Sequence, residues 1–164
     1  MFPPDLVADA RRLLTGMRAA SLMLVTAESC TGGLIAGLLT EIPGSSDVLE
    51  RGYVTYSNTA KITSLGVDPA LIDRFGAVSE AVARAMAEGA LVHSEARIAV
   101  AVTGVAGPDG GGPDKPVGLV HLAVARSGGA TRHEAHRFGA IGRTEVRLAT
   151  VAAALQLVRA SIEE

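Results

Sequence analysis

Cysteine, aromatic residues and runs of basic residues are scarce or absent in this sequence. It has one cysteine, no tryptophan, two tyrosines and three phenylalanines in 164 residues. A single cysteine cannot form an internal disulfide and fits a reducing compartment, so we expect a cytoplasmic protein. Because hydrophobic residues nevertheless make up 48% of the chain, the core must be built from alanine, valine, leucine and isoleucine.

Charge and hydrophobic runs exclude two further classes of protein. The formal net charge is −2 and lysine and arginine are not clustered, which argues against a nucleic-acid partner. No charge-free stretch approaches twenty apolar residues, so the sequence predicts no membrane span. The first residues carry Asp5 and Asp9 where a signal peptide needs a basic and then an apolar segment. We therefore expect neither a nucleic acid nor a membrane as partner.

Alternating strand and helix patterns predict a single α/β domain over residues 1–164. The chain is long enough for one core, and its nineteen glycines indicate many tight turns. Alternation at this spacing predicts a three-layer α/β/α sandwich around a mixed, mostly parallel sheet. The strand patterns lie at residues 21–27, 50–57, 97–104, 119–125 and 130–138, the last at an edge. The helical patterns begin near Pro4 and lie at residues 32–42, 58–65, 69–75, 79–92 and 143–160.

The stretch TAESCTGG, residues 26–33, places polar residues between two apolar runs. Ser29 lies between a predicted strand and a predicted helix, where a sheet presents side chains at its rim. Gly32 and Gly33 allow a tight turn whose amides face outward at a helix N-terminus, which suits an anion or the oxyanion of acyl transfer. One interpretation is a serine nucleophile. The other is that Ser29 or Thr31 caps the helix.

A serine nucleophile needs a base, and Lys61 is the best candidate. The segment YSNTAK begins where the second predicted strand ends, and a lysine acts as a base if burial lowers its pKa toward about 7–8. Tyr56 could pass or orient the proton, and an exposed surface lysine is the alternative. Ser57 and Cys30 are rival nucleophiles, although Ser57 could cap a helix and Glu28 disfavours a thiolate at Cys30. We expect the four histidines, His93, His121, His133 and His136, to be structural or solvent-facing.

Three of the predicted strands end in polar or glycine-rich sequence, at residues 26–33, 56–61 and 103–118. If these strands are parallel, all three ends meet in one crevice at the carboxyl edge of the sheet. Arg143 opens the last helix and Arg147 follows one turn later. Both are exposed helix residues by default and phosphate ligands if that helix faces the crevice.

The segment GVAGPDGGGPDKPVG is rich in glycine but matches no nucleotide-binding fingerprint. Its glycines, Gly107 among them, permit close approach of the backbone to a ligand, and a flexible surface hairpin is the alternative. Asp109 and Asp114 could bind a metal, but no histidine or cysteine joins them. We therefore predict no metal site.

Five ordered blocks of sequence resemble the C-terminal domain of the CinA (competence/damage-inducible) family. They are AESCTGG, YSNTAK, GAVSEAVARAMAEGA, VTGVAGPDGGGPDKPVG and GRTEVRLATVAAAL, and the resemblance runs from about residue 5 to residue 160. It implies a three-layer α/β/α fold and the hydrolysis of nicotinamide mononucleotide to nicotinic acid mononucleotide and ammonia. It also implies a serine nucleophile and neither a metal nor a cofactor. Longer family members carry an additional N-terminal pyrophosphatase domain, whose activity is not expected here.

The resemblance also implies a role for individual residues. It places the nucleophile at Ser29, the base at Lys61 and an assisting tyrosine at Tyr56. Family members commonly have an acid just before the arginine of the last helix, where this chain has Gly142. The substrate would contact Cys30, Thr31, Gly32, Gly33, Asn58, Thr103, Gly104, Gly107 and Arg143, with Arg143, Lys115 or the glycine-rich loop on its 5′-phosphate.

Two other functions fit the same residues. One is a paralogue that binds a nucleotide or a partner without turnover, and the other is an amidase acting on another small amide. The partner we expect is a small-molecule nucleotide substrate. A homo-oligomer is also compatible with a small, alanine-rich domain that has exposed helices.

Overall fold

Strands and helices alternate along the chain in a computed structural model that describes residues 1–163. Each predicted strand and helix is found, with ends that differ by a few residues. The strands are β1 (Leu24–Glu28), β2 (Leu49–Val54), β3 (Ile98–Gly104), β4 (Leu119–Arg126) and β5 (Arg132–Arg137). The helices are α1 (Pro4–Ala19), α2 (Leu34–Thr40), α3 (Asn58–Leu65), α4 (Pro69–Phe75), α5 (Glu80–Val92) and α6 (Arg143–Ile162). A short 3₁₀ helix, Ser45–Asp47, precedes β2.

The five strands form one sheet in the order β2-β1-β3-β4-β5. Strand β1 pairs parallel with β2 and with β3, whereas β4 is antiparallel to both β3 and β5. The reversal follows from the connections, because helices link the parallel strands while a loop without a helix returns the chain from β3 to β4. The predicted mixed sheet is confirmed, and β5 lies at an edge as predicted.

Helices cover both faces of the sheet, which confirms the three-layer α/β/α arrangement. On one face α1, α2 and α6 pack against large side chains such as Ile98, Val100 and Val102. On the other face α3, α4 and α5 pack against small ones, including Ala99 and Ala101. Successive side chains of β3 thus point to opposite faces of the sheet and pack into two different hydrophobic cores.

The small side chains let α5 approach its neighbours closely. Gly89 of α5 lies against the end of α3, where an added Cβ would overlap the carbonyl oxygen of Leu65. Close packing of this kind compensates for the scarcity of aromatic residues in the core. It also fixes α3, the helix that carries Lys61, relative to the sheet.

The carboxyl ends of β1, β2 and β3 lie at the same edge of the sheet, as the sequence predicts for parallel strands. Strand β2 ends at Val54, earlier than the predicted 57, because Ser57 already caps α3. Within residues 1–163, no helix has the length and apolar character needed to cross a membrane.

Candidate active site

A cleft of about 290 Å³ opens at the carboxyl edge of the parallel strands. A larger hollow of about 530 Å³ lies at the opposite edge beside the β4–β5 turn, but none of the predicted site residues lines it. The first cleft therefore is the candidate site. It is lined by Ser29, Cys30, Tyr56, Val78, Gly104, Val105, Ala106, Gly107, Asp109, Gly110 and Arg143.

Ser29 lies at the base of this cleft, one residue beyond β1. Its amide donates to the carbonyl of Val102 at 3.0 Å, so the position after the strand is still held by β3. The preceding carbonyl, that of Glu28, accepts from the amide of Thr55 at 2.9 Å on the other side. These bonds fix the backbone of Ser29, a residue that is only 9% exposed but lines the cleft.

Lys61 extends from α3 to Ser29 through the interior of the protein. Its Nζ lies 3.0 Å from Oγ of Ser29 and donates to the carbonyl of Thr55 at 2.9 Å, while the residue is 1% exposed. No carboxylate within residues 1–163 forms an ion pair with this amine. Burial lowers the pKa of Lys61, since removal from water disfavours the charged form. The arrangement favours a neutral amine that can accept a proton from the serine hydroxyl.

The two rival nucleophiles are engaged or unreactive. Ser57 caps α3, and its Oγ accepts from the amide of Ala60 at 3.0 Å, as the capping interpretation predicts. Burial, with a smaller contribution from the nearby Glu28 carboxylate, raises the pKa of the Cys30 thiol to about 11. A thiol with this pKa carries almost no thiolate at neutral pH. The geometry therefore favours Ser29 as the nucleophile.

Glu28 is the one buried acid of the site, and sequence reasoning missed its function. Its carboxylate accepts from the amides of Gly33, Ile35 and Ala36 at 2.9–3.1 Å and from the hydroxyl of Thr31 at 2.6 Å. These amides are the unpaired donors of the first turn of α2, which attract negative charge. An acid placed at the end of an apolar strand, just before Gly-Gly, was the signal in the sequence.

This contact corrects two expectations about the turn. Neither Ser29 nor Thr31 caps α2, because the Glu28 carboxylate occupies that position and Thr31 donates to it. The amides of Gly32 and Gly33 cannot serve as oxyanion donors either. Gly32 donates to the carbonyl of Ser29 at 3.0 Å and Gly33 donates to Glu28 at 3.1 Å. Both glycines have positive φ, which lets the chain turn sharply from β1 into α2.

Arg147 holds the same turn from the side of α6. Its guanidinium donates to the carbonyls of Cys30 and Thr31, at 3.1 and 2.9 Å. The side chain is half-buried and does not line the cleft, so Arg147 is neither the exposed helix residue expected by default nor placed to contact a phosphate in the cleft. It is a positioning residue for the segment that carries Ser29.

Arg143 crosses the mouth of the cleft and contacts both of its walls. It donates to the hydroxyl of Tyr56 and to the carbonyl of Gly107, each at 2.8 Å. The partners of Lys61 are Ser29 and Thr55, so no hydrogen bond joins Tyr56 to the lysine it was expected to assist. Tyr56 instead forms a wall of the cleft and orients the arginine.

Several predicted substrate contacts lie beside the cleft and not on its surface. Asn58 is exposed in the first turn of α3, and the buried Thr103 donates its hydroxyl to the carbonyl of Ala77 at 2.9 Å. Lys115 donates to the carbonyl of Phe75 and does not line the cleft. Thr31, Gly32 and Gly33 form the turn behind Ser29. Of the predicted substrate contacts, those that line the cleft are Cys30, Gly104, Gly107 and Arg143.

The acidic and histidine residues form no metal cluster. Within the described residues, no group of three or more histidine, cysteine, aspartate or glutamate side chains could hold a metal ion. His121 and His133 lie 2.9 Å apart between β4 and β5, and neither lines the cleft. The side chains that the site offers for chemistry include a serine, a buried amine, an arginine and the carboxylate of Asp109.

A family model describing the CinA C-terminal domain matches residues 8–162. The chain belongs to the CinA C-terminal domain family. A crystal structure of the competence/damage-inducible protein CihA from Agrobacterium tumefaciens has a TM-score of 0.97 and 55% identity, covering 100% of this chain and 99% of that one. A CinA superfamily protein from Escherichia coli has a TM-score of 0.87 and 32% identity, covering 95% and 91%.

Curated relatives are CinA-like proteins of greater length. One from Mycobacterium tuberculosis is 48% identical over 92% of this chain and 34% of its own length. One from Mycolicibacterium vanbaalenii is 50% identical over 87% and 34%. The chain thus spans about a third or less of the curated CinA relatives it matches, and their names specify no reaction.

Proposed function

We propose that this CinA-family domain hydrolyses the carboxamide of nicotinamide mononucleotide, yielding nicotinic acid mononucleotide and ammonia. The observation that carries the proposal is the 3.0 Å contact between Oγ of Ser29 and Nζ of Lys61 at the base of a cleft. A buried lysine without an acidic partner is a costly feature for a protein that only binds ligands. Its cost is accounted for if the neutral amine works as a base.

In the first half of the reaction, Oγ of Ser29 attacks the carboxamide carbon while Lys61 takes the hydroxyl proton. The carbonyl π bond opens and its electron pair moves to oxygen, giving a tetrahedral oxyanion. When this intermediate collapses, the C–N bond breaks, and the lysine returns its proton to the departing nitrogen. The products of this half are ammonia and an ester of Ser29.

In the second half, water replaces ammonia. Lys61 accepts a proton from the water as the oxygen attacks the ester carbon, and it then returns a proton to Oγ as the C–O bond to Ser29 breaks. The free acid leaves as a carboxylate, and the enzyme is restored. The sum is one amide and one water converted to one acid and one ammonia.

Backbone amides must stabilise the oxyanion in both halves. Since Gly32 and Gly33 donate within the turn and Val105 donates to the carbonyl of Leu119, we assign this function to the amides of Cys30, Ala106 and Gly107, which line the cleft. One donor at such a position is typically worth about 3–4 kcal/mol in the transition state. Arg143 is the cation in the cleft that can pair with the 5′-phosphate once it exchanges a neutral partner for the anion.

The test is ammonia release from a panel of nicotinamide nucleotides and simple amides. We expect release from nicotinamide mononucleotide, and Ser29→Ala should abolish it, because loss of a serine nucleophile lowers kcat on the order of 10⁶-fold. Lys61→Met should lower the rate at neutral pH by about 10²- to 10⁴-fold. Ser57→Ala is the matched control, since this serine lies three residues beyond the neighbouring strand β2 and caps α3.

Each outcome of this panel assigns one function. Release from a non-nucleotide amide alone identifies an amidase with another substrate. No release, with nucleotide binding retained, identifies a binding module and ends the proposal. A loss in Ser57→Ala equal to that in Ser29→Ala, with both variants folded, contradicts the choice of nucleophile.

A further inference from the structure

Asp109 is a charged residue of the cleft for which the reaction above has no use. It lines the cleft together with Ser29, Tyr56 and Arg143, and its side chain is exposed to solvent. Within residues 1–163 its carboxylate forms neither a hydrogen bond nor an ion pair. A metal does not account for it, because within residues 1–163 no group of three or more acidic, histidine or cysteine side chains could hold one.

The cleft therefore has a positively charged residue, Arg143, and a negatively charged residue, Asp109, that do not form an ion pair with each other. The Arg143 guanidinium is held by two neutral acceptors, the Tyr56 hydroxyl and the Gly107 carbonyl, and it makes no salt bridge to Asp109. Both charges border a space of about 290 Å³, which brings them within reach of one small ligand. A ligand that fills this space displaces water from both, and each charge then needs an opposite one.

We propose that Asp109 selects substrates whose carboxamide is carried by a cationic ring, by placing its carboxylate beside the positive ring nitrogen. The inference rests on the proposed function, since it names the charge state of the ring that the same site accepts. In a nicotinamide nucleotide the ring nitrogen is quaternary and positive, and the phosphate at the far end is negative. Such a ligand compensates Asp109 with its ring and Arg143 with its phosphate.

Selection operates by exclusion as much as by attraction. The reduced form of the same nucleotide, with a neutral dihydropyridine ring, has the same carboxamide, ribose and phosphate. Binding it would desolvate Asp109 without supplying a positive charge, which is unfavourable. Asp109 thus distinguishes the oxidised ring from the reduced one, whereas the groups that contact carboxamide and phosphate do not.

Binding to the Ser29→Ala protein tests this without turnover. The dissociation constants of oxidised and reduced nicotinamide mononucleotide are measured by calorimetry, with and without Asp109→Asn. We expect Asp109→Asn to weaken binding of the oxidised nucleotide about three- to fivefold, as for a charge pair in a partly exposed site. Binding of the reduced nucleotide should change by less than about twofold or improve.

Two variants make the comparison specific. Asp114→Asn removes the same charge from the same loop, at an exposed residue that does not line the cleft, and should change neither constant. Asp109→Glu keeps the charge and should keep the preference for the oxidised ring. Circular dichroism verifies that each variant is folded, which is expected for exposed positions of a loop.

The proposal is overturned if Asp109→Asn weakens both nucleotides equally or neither, or if the Ser29→Ala protein does not bind the oxidised nucleotide. Failure of the proposed function is separable from these results. The protein with Ser29 intact could release no ammonia while its preference for the oxidised ring still depends on Asp109. That result rejects the reaction and retains the inference about Asp109. If ammonia is released but Asp109→Asn does not change the ring preference, the reaction is retained and the inference about Asp109 is rejected.

Discussion

Replacing Glu28 by glutamine should destabilise the protein although it changes only one atom. The carboxylate oxygens divide their four partners unequally. Oε2 accepts from Gly33, Ile35 and the Thr31 hydroxyl, and Oε1 accepts from Ala36 at 2.9 Å. A glutamine can keep its carbonyl oxygen in the first position. Its NH₂ group then faces the amide of Ala36, so that two donors meet and one hydrogen bond is lost.

The magnitude follows from these contacts. A buried donor left without an acceptor costs about 1–3 kcal/mol. Removing the negative charge from the N-terminus of α2 costs about 0.3–1 kcal/mol, or up to about 2 kcal/mol where the site is buried. The three bonds that remain also become neutral and weaker, but a buried amide is less costly to desolvate than a carboxylate. We expect the free energy of unfolding to fall by about 2–4 kcal/mol.

Urea denaturation followed by circular dichroism measures this difference. Glu41→Gln is the matched control, because Glu41 is the exposed C-cap residue of the same helix. Its replacement should change the free energy of unfolding by less than about 0.5 kcal/mol. A Glu28→Gln protein as stable as the Glu41→Gln control would refute the argument that the carboxylate organises the turn.

Three further predictions concern Lys61, Cys30 and Arg147. Because burial lowers the pKa of Lys61, the unfolded chain binds more protons than the native state at pH values between the folded and the unfolded pKa. Stability therefore rises with pH across that interval and levels off above the unfolded pKa of about 10.4. Lys61→Met should therefore raise Tm at pH 7 by an amount that shrinks toward pH 10, and a gain independent of pH would contradict the assignment. The pKa of the Cys30 thiol is raised from 9.0 to about 11 in the folded protein. At pH 8, Cys30 should therefore react with iodoacetamide about a hundredfold more slowly in the folded protein than in the urea-unfolded chain. Equal rates would show that the folded protein has an accessible thiolate. Arg147→Met removes two hydrogen bonds to the turn and should lower the free energy of unfolding, measured by urea denaturation, by about 1–3 kcal/mol. Arg159→Met, at the exposed end of the same helix, is the control and should have less than half that effect.

Much of the fold follows from local patterns in the sequence. The buried strand β3 is apolar on both faces, and β5 alternates polar residues as edge strands do. Helices α3, α4 and α5 follow the N-cap residues Ser57, Asp68 and Ser79, whose side chains accept from backbone amides of the first turn. Such signals are local because the hydrogen bonds they describe span only a few residues.

The contacts within the candidate site were harder to predict from local sequence patterns than the strands and helices were. The polar strand ends identified the edge of the sheet, and Ser29, Tyr56, Gly107 and Arg143 do line one cleft. The spacing of residues along the sequence did not predict which side chain contacts which partner in the site. Arg147 was expected to be exposed, or to bind a phosphate if α6 faced the crevice, and it binds two backbone carbonyls. Spacing could not predict this, because the direction in which α6 presents the side chain depends on how that helix packs on the sheet.

Glu28 and the expected oxyanion donors illustrate the same limit. The sequence indicates that amides at the start of α2 favour an anion, which is correct. It does not indicate that the protein supplies the anion itself, since a strand residue and a helix terminus meet only when the turn is formed. Of the two amides that the sequence suggested for a ligand, that of Gly33 is therefore occupied by Glu28 and that of Gly32 by the carbonyl of Ser29.

By itself, the sequence determined that this is an α/β domain, which residue types collect at the carboxyl ends of its strands and which family it resembles. These properties depend on periodicity and on neighbours along the chain. Only the tertiary structure decided that the amine of Lys61, thirty-two positions from Ser29, lies within hydrogen-bond distance of its hydroxyl and out of water. Burial of that amine requires α3, β1 and the segment after β2 together, and its pKa is lowered because all three exclude water from it at once.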